Sequence, residues 1–321
     1  MAEILSAAEY RAPIWSGIFI FWWIILASIP AAAQSNPPDV KATRDQNDVL
    51  LNWNGIEKTL YANAKPYVEL STADLKNALP ELQELEPALN QDELPALLKK
   101  TGDKTRDLLH NMPNLIAHER LLTQRGSKGK PWRQEYEYLI LSTVDKSNAT
   151  VFNEYRTAPN GKTSQEAEDP LTKGVTSVWT RFYPSNQSES RFRYLGRQQI
   201  DGHQTVVIGF AQIPDAVRYP SHFEFGGASI GVLDQGIAWI DQADFRIVRM
   251  RTDLLAPRPD VYLQKMTTEV HFAELDLPQS DLKVWVPNEA VVAWNFKGQT
   301  VQQRHIYSKY RFYTVKTKIV P

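Results

Sequence analysis

Short runs that alternate apolar and polar residues, each closed by turn-forming residues, follow one another from residue 134 to residue 315. Nothing else in the chain limits its fold as strongly. The runs are 134–143, 151–156, 175–183, 191–200, 204–212, 230–233, 267–275, 284–287, 290–296 and 301–315. A period of two marks strands with one face buried. Asn160-Gly161, Pro184-Ser185-Asn186, Asp201-Gly202, Pro278 and Lys297-Gly298 supply turns, and Asp201-Gly202 and Lys297-Gly298 predict tight hairpins. Residues 236–250 predict one more hairpin. Ile237, Trp239, Phe245, Ile247 and Met250 carry its apolar surface, Asp241 to Asp244 turn the chain, and Arg246 and Arg249 are expected to face outward. Many short strands at regular spacing make an antiparallel meander, which closes into a barrel or curls into a half-barrel. The polar stretch 158–173, with Pro159 and Pro170, reads as a long loop.

Upstream the period changes. Residues 34–48 are polar and read as a flexible leader, and 49–125 read as a helical region. Residues 49–64 fit a short strand or a helix, and 66–70 are expected to be extended. Ser71 or Thr72 caps a helix whose Leu75, Leu79, Leu82, Leu85 and Leu89 share one face, and Pro80 splits or kinks it. A second helical pattern runs from Asp92 to Gly102 and a third from Asp103 to about Asn111. After Met112-Pro113-Asn114 an apolar pattern resumes over 115–124. The basic, Gly-rich turn 126–131 is the expected boundary before a strand domain at 130–321. The fold class is therefore α+β: an N-terminal helical region, then an antiparallel, incomplete β-barrel.

Residues 1–33 have the pattern of a signal peptide. The apolar run 14–29 ends at Pro30, and Ala31-Ala32-Ala33 offers a cleavage site before Gln34. The run is short of the roughly 20 residues that span a bilayer. Glu3, Glu9 and Arg11 precede it, which is not the positive flank of an export signal. The expectation is export to the periplasm or beyond with cleavage after Ala33, and the alternative is retention as an N-terminal membrane anchor. The formal net charge of -1 gives no electrostatic footprint for nucleic acid. The absence of cysteine excludes disulfides, thiolate zinc sites, a cysteine nucleophile and a lipidated N-terminal cysteine. Packing alone must hold the fold, and 321 residues with 42% hydrophobic content suffice for that.

Motifs for chemistry are sparse. Gly227-Ala228-Ser229-Ile230-Gly231 matches the serine-hydrolase elbow, which needs a strand before the serine and a helix after it. Here a hairpin pattern follows, so a Gly-rich loop between strands is the expected structure. His118-Glu119 lacks a second histidine four residues on, and His203, His222, His271 and His305 stand singly, so no metal set is expected. The cation–aromatic mixture at 304–313 reads as a closing strand rather than a nucleic-acid surface. Trp179, Trp239, Trp285 and Trp294 fall on predicted strands and either line an apolar cavity or fill the core.

Gly236-Ile237-Ala238-Trp239-Ile240-Asp241 followed by Phe245-Arg246-Ile247-Val248-Arg249, and Trp285-Val286-Pro287 ahead of another strand, resemble the LolA/LolB/LppX group of periplasmic lipoprotein carriers and lipid-binding proteins. The resemblance spans about residues 130–315. It implies an incomplete antiparallel barrel with helices as a lid and an apolar cavity for acyl chains. Leu97-Leu98-Lys99-Lys100-Thr101-Gly102 and Met112-Pro113-Asn114-Leu115 depart from those carriers and look more like another exported bacterial family. No functional residue of the carriers has a counterpart here. The expectation is an exported, non-enzymatic binding protein without a cofactor, its partner a lipid or an acylated protein. The alternatives are an envelope interaction module with a filled barrel, partnered by another envelope protein, and, further off, a hydrolase acting through Ser229.

Overall fold

The computed structural model describes residues 55–144, 150–158, 175–218, 220–225, 228–276 and 283–312. The expected signal peptide, leader and 158–173 loop, apart from Ala158, lie outside them, as do Asn160-Gly161 and Pro278.

Thirteen strands are described, β1 (Glu86–Pro87), β2 (Leu115–Arg125), β3 (Trp132–Val144), β4 (Thr150–Thr157), β5 (Ser190–Ile200), β6 (His203–Gln212), β7 (Ser221–Phe225), β8 (Ala228–Val232), β9 (Asp234–Asp241), β10 (Ile247–Leu254), β11 (Leu263–Asp276), β12 (Lys283–Phe296) and β13 (Gln299–Phe312). Eleven of them form one sheet in the order β1-β5-β6-β9-β10-β11-β12-β13-β2-β3-β4, and β7 and β8 make a separate hairpin. Every pairing in the large sheet is antiparallel. The sheet curves without closing, since β1 and β4 are its free edges, and the architecture is an incomplete barrel of the α+β class. The Asp201-Gly202 and Lys297-Gly298 turns have φ of 49° and 82°, and of 50° and 76°, which is the left-handed geometry of tight hairpins.

Three helices, α1 (Gly55–Ala62), α2 (Thr72–Ala78) and α3 (Leu94–His110), and several 3-10 turns complete the fold. Ser71 caps α2, its Oγ accepting from the Asp74 amide at 3.1 Å. Leu75, Leu79, Leu82 and Leu85 are buried as their spacing predicts, whereas Leu89 is fully exposed. This segment packs on one face of β5, β6, β9 and β10. There Gln198 Nε2 donates to the Glu81 carbonyl at 2.7 Å, and Arg251 pairs with Glu81 at 2.6 Å. β1 is held at the edge because Gly196 has φ 143° and a Cβ there would stand 1.9 Å from the Glu86 carbonyl oxygen.

The opposite face, called inner below, is covered by α3 and by two 3-10 segments, Val175–Phe182 and Pro184–Glu189. The first differs from the strand expected at 175–183. A 3-10 turn aligns residues three apart, which puts Trp179 and Phe182 on one side, both buried. Trp179 meets Phe272 edge-on at 4.9 Å, and Phe182 lies 5.3 Å from Phe192 and 6.0 Å from Phe210. Burial of the two rings outweighs the strand preference of Val175, Val178 and Tyr183.

Three more expectations are corrected. The two helices expected to meet at Gly102 are one continuous helix. Gly102 is tolerated in its middle because a Cβ there would stand 2.5 Å from Gln187 Nε2 and 3.0 Å from the Phe182 carbonyl. Residues 115–124 are a central strand, with Leu115, Ala117, Glu119, Leu121 and Thr123 all turned inward, so the sheet begins ahead of the 126–131 turn. That turn is the β2–β3 hairpin loop, not a boundary. In the β9–β10 hairpin, Arg249 is not an outward face opposed to Trp239. The two pair across the strands, and the guanidinium lies 4.7 Å from the indole centre.

Candidate functional site

Strand alternation sets the inner face of β13, β2, β3 and β4. Gln303, His305 and Tyr307 point inward from β13, and β2 places Thr123 opposite Gln303, Leu121 opposite His305 and Glu119 opposite Tyr307. Beyond Glu119 stands Tyr136, beyond Ala117 stands Tyr138, and Arg156 of β4 faces Tyr138. The result is a polar patch set among apolar side chains. On one side Ala117, Tyr138, Tyr307 and Ala290 join the main core, and on the other Val292, Trp294 and Val301 join a second apolar cluster with Phe223 of the β7–β8 hairpin.

The centre of the patch is a buried triad. Arg156 donates through Nε and Nη2 to the two oxygens of Glu119 at 2.5 and 2.9 Å, and His305 Nδ1 stands 2.7 Å from Glu119 Oε1. Side-chain exposure is 5%, 0% and 0% for Arg156, Glu119 and His305. Burial pushes the Glu119 carboxyl up, but the Arg156 charge and the bonds from His305 and Arg156 outweigh it and hold the group at about 2. Burial lowers the His305 imidazole below its ordinary value although Glu119 opposes this. At neutral pH the triad is therefore a carboxylate, a guanidinium and a neutral imidazole with its proton on Nδ1. Burial also lifts the Tyr138 and Tyr307 phenols well above their ordinary value, so they stay protonated. Arg156 lies 4.9 Å over the Tyr138 ring, and the Tyr138 and Tyr307 rings are 5.0 Å apart.

Five polar atoms of this patch have no hydrogen-bond partner among the described residues: Thr123 Oγ1, Tyr138 Oη, Gln303 Oε1, His305 Nε2 and Tyr307 Oη. Their residues are at most 5% exposed. A buried polar group left unpaired costs about 1–3 kcal/mol, so the five together concentrate that cost within one patch.

The tryptophans are dispersed. Trp179 and Trp285 lie on the inner side. Trp285 pairs opposite Glu274, two residues from Phe272, and its Nε1 donates to the Ile247 carbonyl at 2.9 Å while Arg246 sits 4.3 Å over its ring. Trp294 is in the second apolar cluster, 6.4 Å from Phe223. Trp239 is on the other face, bonded through Nε1 to Gln198 at 3.1 Å. Ser229 lies within β8 opposite Glu224 and is followed by β9, so no helix follows it; Gly227 lies outside the described residues. No group of three potential metal ligands converges among the described residues. On the outer side, Glu84, Glu86, Arg197, Gln198, Gln204 and Gln242 line a polar cleft of about 480 Å3.

Nothing local in the sequence announces the triad: His305 is an isolated histidine, and Glu119 follows His118 without the second histidine of a zinc motif. The available signal was the inward parity of Glu119 between Ala117 and Leu121, once 115–124 is taken as a strand.

No family model matches the sequence, and no curated protein matches it. Several solved structures are similar, among them the following three. A domain of an outer membrane lipoprotein-sorting protein from Vibrio parahaemolyticus is 12% identical and covers 69% of this chain and 94% of its own, with a TM-score of 0.39. A LolA superfamily protein from Nitrosomonas europaea is 14% identical and covers 68% and 94%, with a TM-score of 0.34. The lipoprotein LppX of Mycobacterium tuberculosis is 12% identical and covers 70% and 99%, with a TM-score of 0.24. The likeness is one of fold alone, and here the open antiparallel sheet carries helical segments on both faces.

Proposed function

We propose that this is an exported, non-enzymatic binding protein that holds a lipid or acyl chain between the inner face of its open sheet and the lid formed by α3 and the 3-10 segment Val175–Phe182. One observation carries the reading. The lid meets the middle of the inner face through rings, Trp179 on Phe272 and Phe182 between Phe192 and Phe210. An acyl chain can replace such contacts without unpairing a hydrogen bond. One end of the lid is tied instead by polar bonds, Arg181 to Asp234 and to Ser221, each at 2.9 Å. Trp179 and Trp285 are the proposed wall of the chain site. Trp294 adjoins it through the second cluster, and Trp239 supports the sheet from the other face.

The similar structures include a lipoprotein-sorting domain and a lipoprotein, and the apolar run at 14–29 supports export. An envelope interaction module is the second reading. It is favoured by the fact that Trp179 and Phe182 already fill the space beneath the lid.

Native mass spectrometry of the protein purified from its own cell envelope, followed by organic extraction, separates the two. A stoichiometric lipid or acylated peptide is the expected result. An empty protein that also fails to take up a fluorescent fatty acid would overturn the carrier reading in favour of the interaction module.

A further inference from the structure

We infer that the polar patch on β13 and β2 receives the head of the bound amphiphile, and that this head is uncharged and hydroxylated, as in an acylglycerol, rather than anionic. The inference rests on the carrier reading and names its ligand class.

The four unpartnered atoms on β13 and β2 define what can bind. His305 gives its Nδ1 proton to Glu119, so its free Nε2 is a lone-pair acceptor. Gln303 Oε1 is a second acceptor. Tyr307 and Thr123 present hydroxyls, which donate as well as accept. Gln303, His305 and Tyr307 are successive inward positions of one strand, with Thr123 directly across from Gln303. Thr123 and Gln303 stand about 5 Å apart across the strands, and each inward step along β13 adds about 7 Å, so hydroxyls spread over a polyol head can meet them in turn. Two bare acceptors need a ligand that donates, and a hydroxylated head supplies donors where a carboxylate or phosphate diester supplies none.

Charge points the same way. The Arg156 guanidinium is engaged by both oxygens of Glu119, so the triad is neutral overall. Glu154, inward on β4 two residues before Arg156, adds negative potential at its edge. Among the described residues the guanidinium nearest the patch, Arg156, is already spent on Glu119, so an anionic head would be buried there at a heavy penalty. Apolar clusters flank the patch on both sides, so a chain that replaced their contacts could run either way along the inner face.

The test compares two lipids with the same chain, monooleoylglycerol and oleate, by titration against the full-length protein after delipidation. The acylglycerol is expected to bind at least tenfold more tightly. Tyr307→Phe and Gln303→Leu are expected to reduce that preference to less than threefold, while the unliganded variants melt at the same temperature as the wild type or higher, because each removes an unpaired buried polar atom. A network that merely braces the sheet would instead lose stability in both variants. Equal binding of the two lipids, tighter binding of the anionic one, or variants that keep the full preference would overturn the inference and leave the carrier reading standing. Failure of both lipids to bind at any concentration would overturn the carrier reading together with it.

Discussion

A carboxylate with no exposure survives at Glu119 because two donors reach it from different strands, Arg156 from β4 and His305 from β13. Their bonds hold its proton affinity far below that of the same residue in the unfolded chain, and burial does the same for His305. Both shifts have one sign for stability. Below the ordinary imidazole value of 6.5 the unfolded chain takes up a proton that folded His305 refuses. Below the ordinary carboxylate value of 4.5 it takes up another that Glu119 refuses until about 2. The stabilisation is thus complete above pH 6.5 and is lost in two stages as pH falls. Denaturant midpoints measured from pH 8 to pH 3 are expected to decline first through the imidazole range and again below the carboxylate range. His305→Gln, which keeps a donor for Glu119 but does not titrate, is expected to abolish the first decline and keep the second. A variant with both declines intact would show that another group causes the first.

Among the elements, α3 shows where local chemistry and tertiary contact part company. A glycine in mid-helix costs about 1 kcal/mol against alanine, and by that measure Gly102 is a stop signal. It is retained because Gln187 lies across it, donating to the Leu98 and Phe182 carbonyls at 2.9 and 2.8 Å, and so joins α3 to the 3-10 segments of the lid. Gly102→Val is expected to destabilise the protein by about 1–3 kcal/mol through crowding and the loss of those bonds, and to speed proteolysis of the lid ahead of the sheet. A variant as stable as the wild type would mean that lid and helix are not locked there. The same contrast explains what the sequence made legible. Asp201-Gly202 and Lys297-Gly298 announce their hairpins because positive φ is a property of those residues themselves. The Leu75–Leu85 stripe is equally local. Residues 175–182 and Gly102 obey partners far along the chain, and no window around them contains those partners.

At the scale of the molecule, the sheet is organised by a pairing between its most distant described long strands. β13 returns to lie beside β2, with His305 next to Glu119 across 186 positions. The incomplete barrel was legible from strand rhythm and turn residues, but this register was not, and the candidate site exists only through it: Arg156, Glu119 and His305 come from three strands that nothing in the local sequence joins. The order of pairing also has a kinetic meaning. A sheet closed by so remote a contact must meet most of its loop-entropy cost before β13 docks, which places folding in the slow range of milliseconds to seconds or longer. β13 contributes buried Val301, Gln303, His305 and Tyr307 and covers the edges of both β12 and β2. A chain ending at residue 298 would leave those two edges bare and Glu119 without His305, so it is expected to lose its cooperative unfolding transition and to aggregate through the exposed strands. The measurement is a urea titration followed by circular dichroism. A truncated chain that still unfolds cooperatively, with a denaturant dependence close to that of the whole, would show that β5 to β12 and their helices fold without the remote pairing, and that β2, β3 and β4 are an appendage rather than part of one sheet.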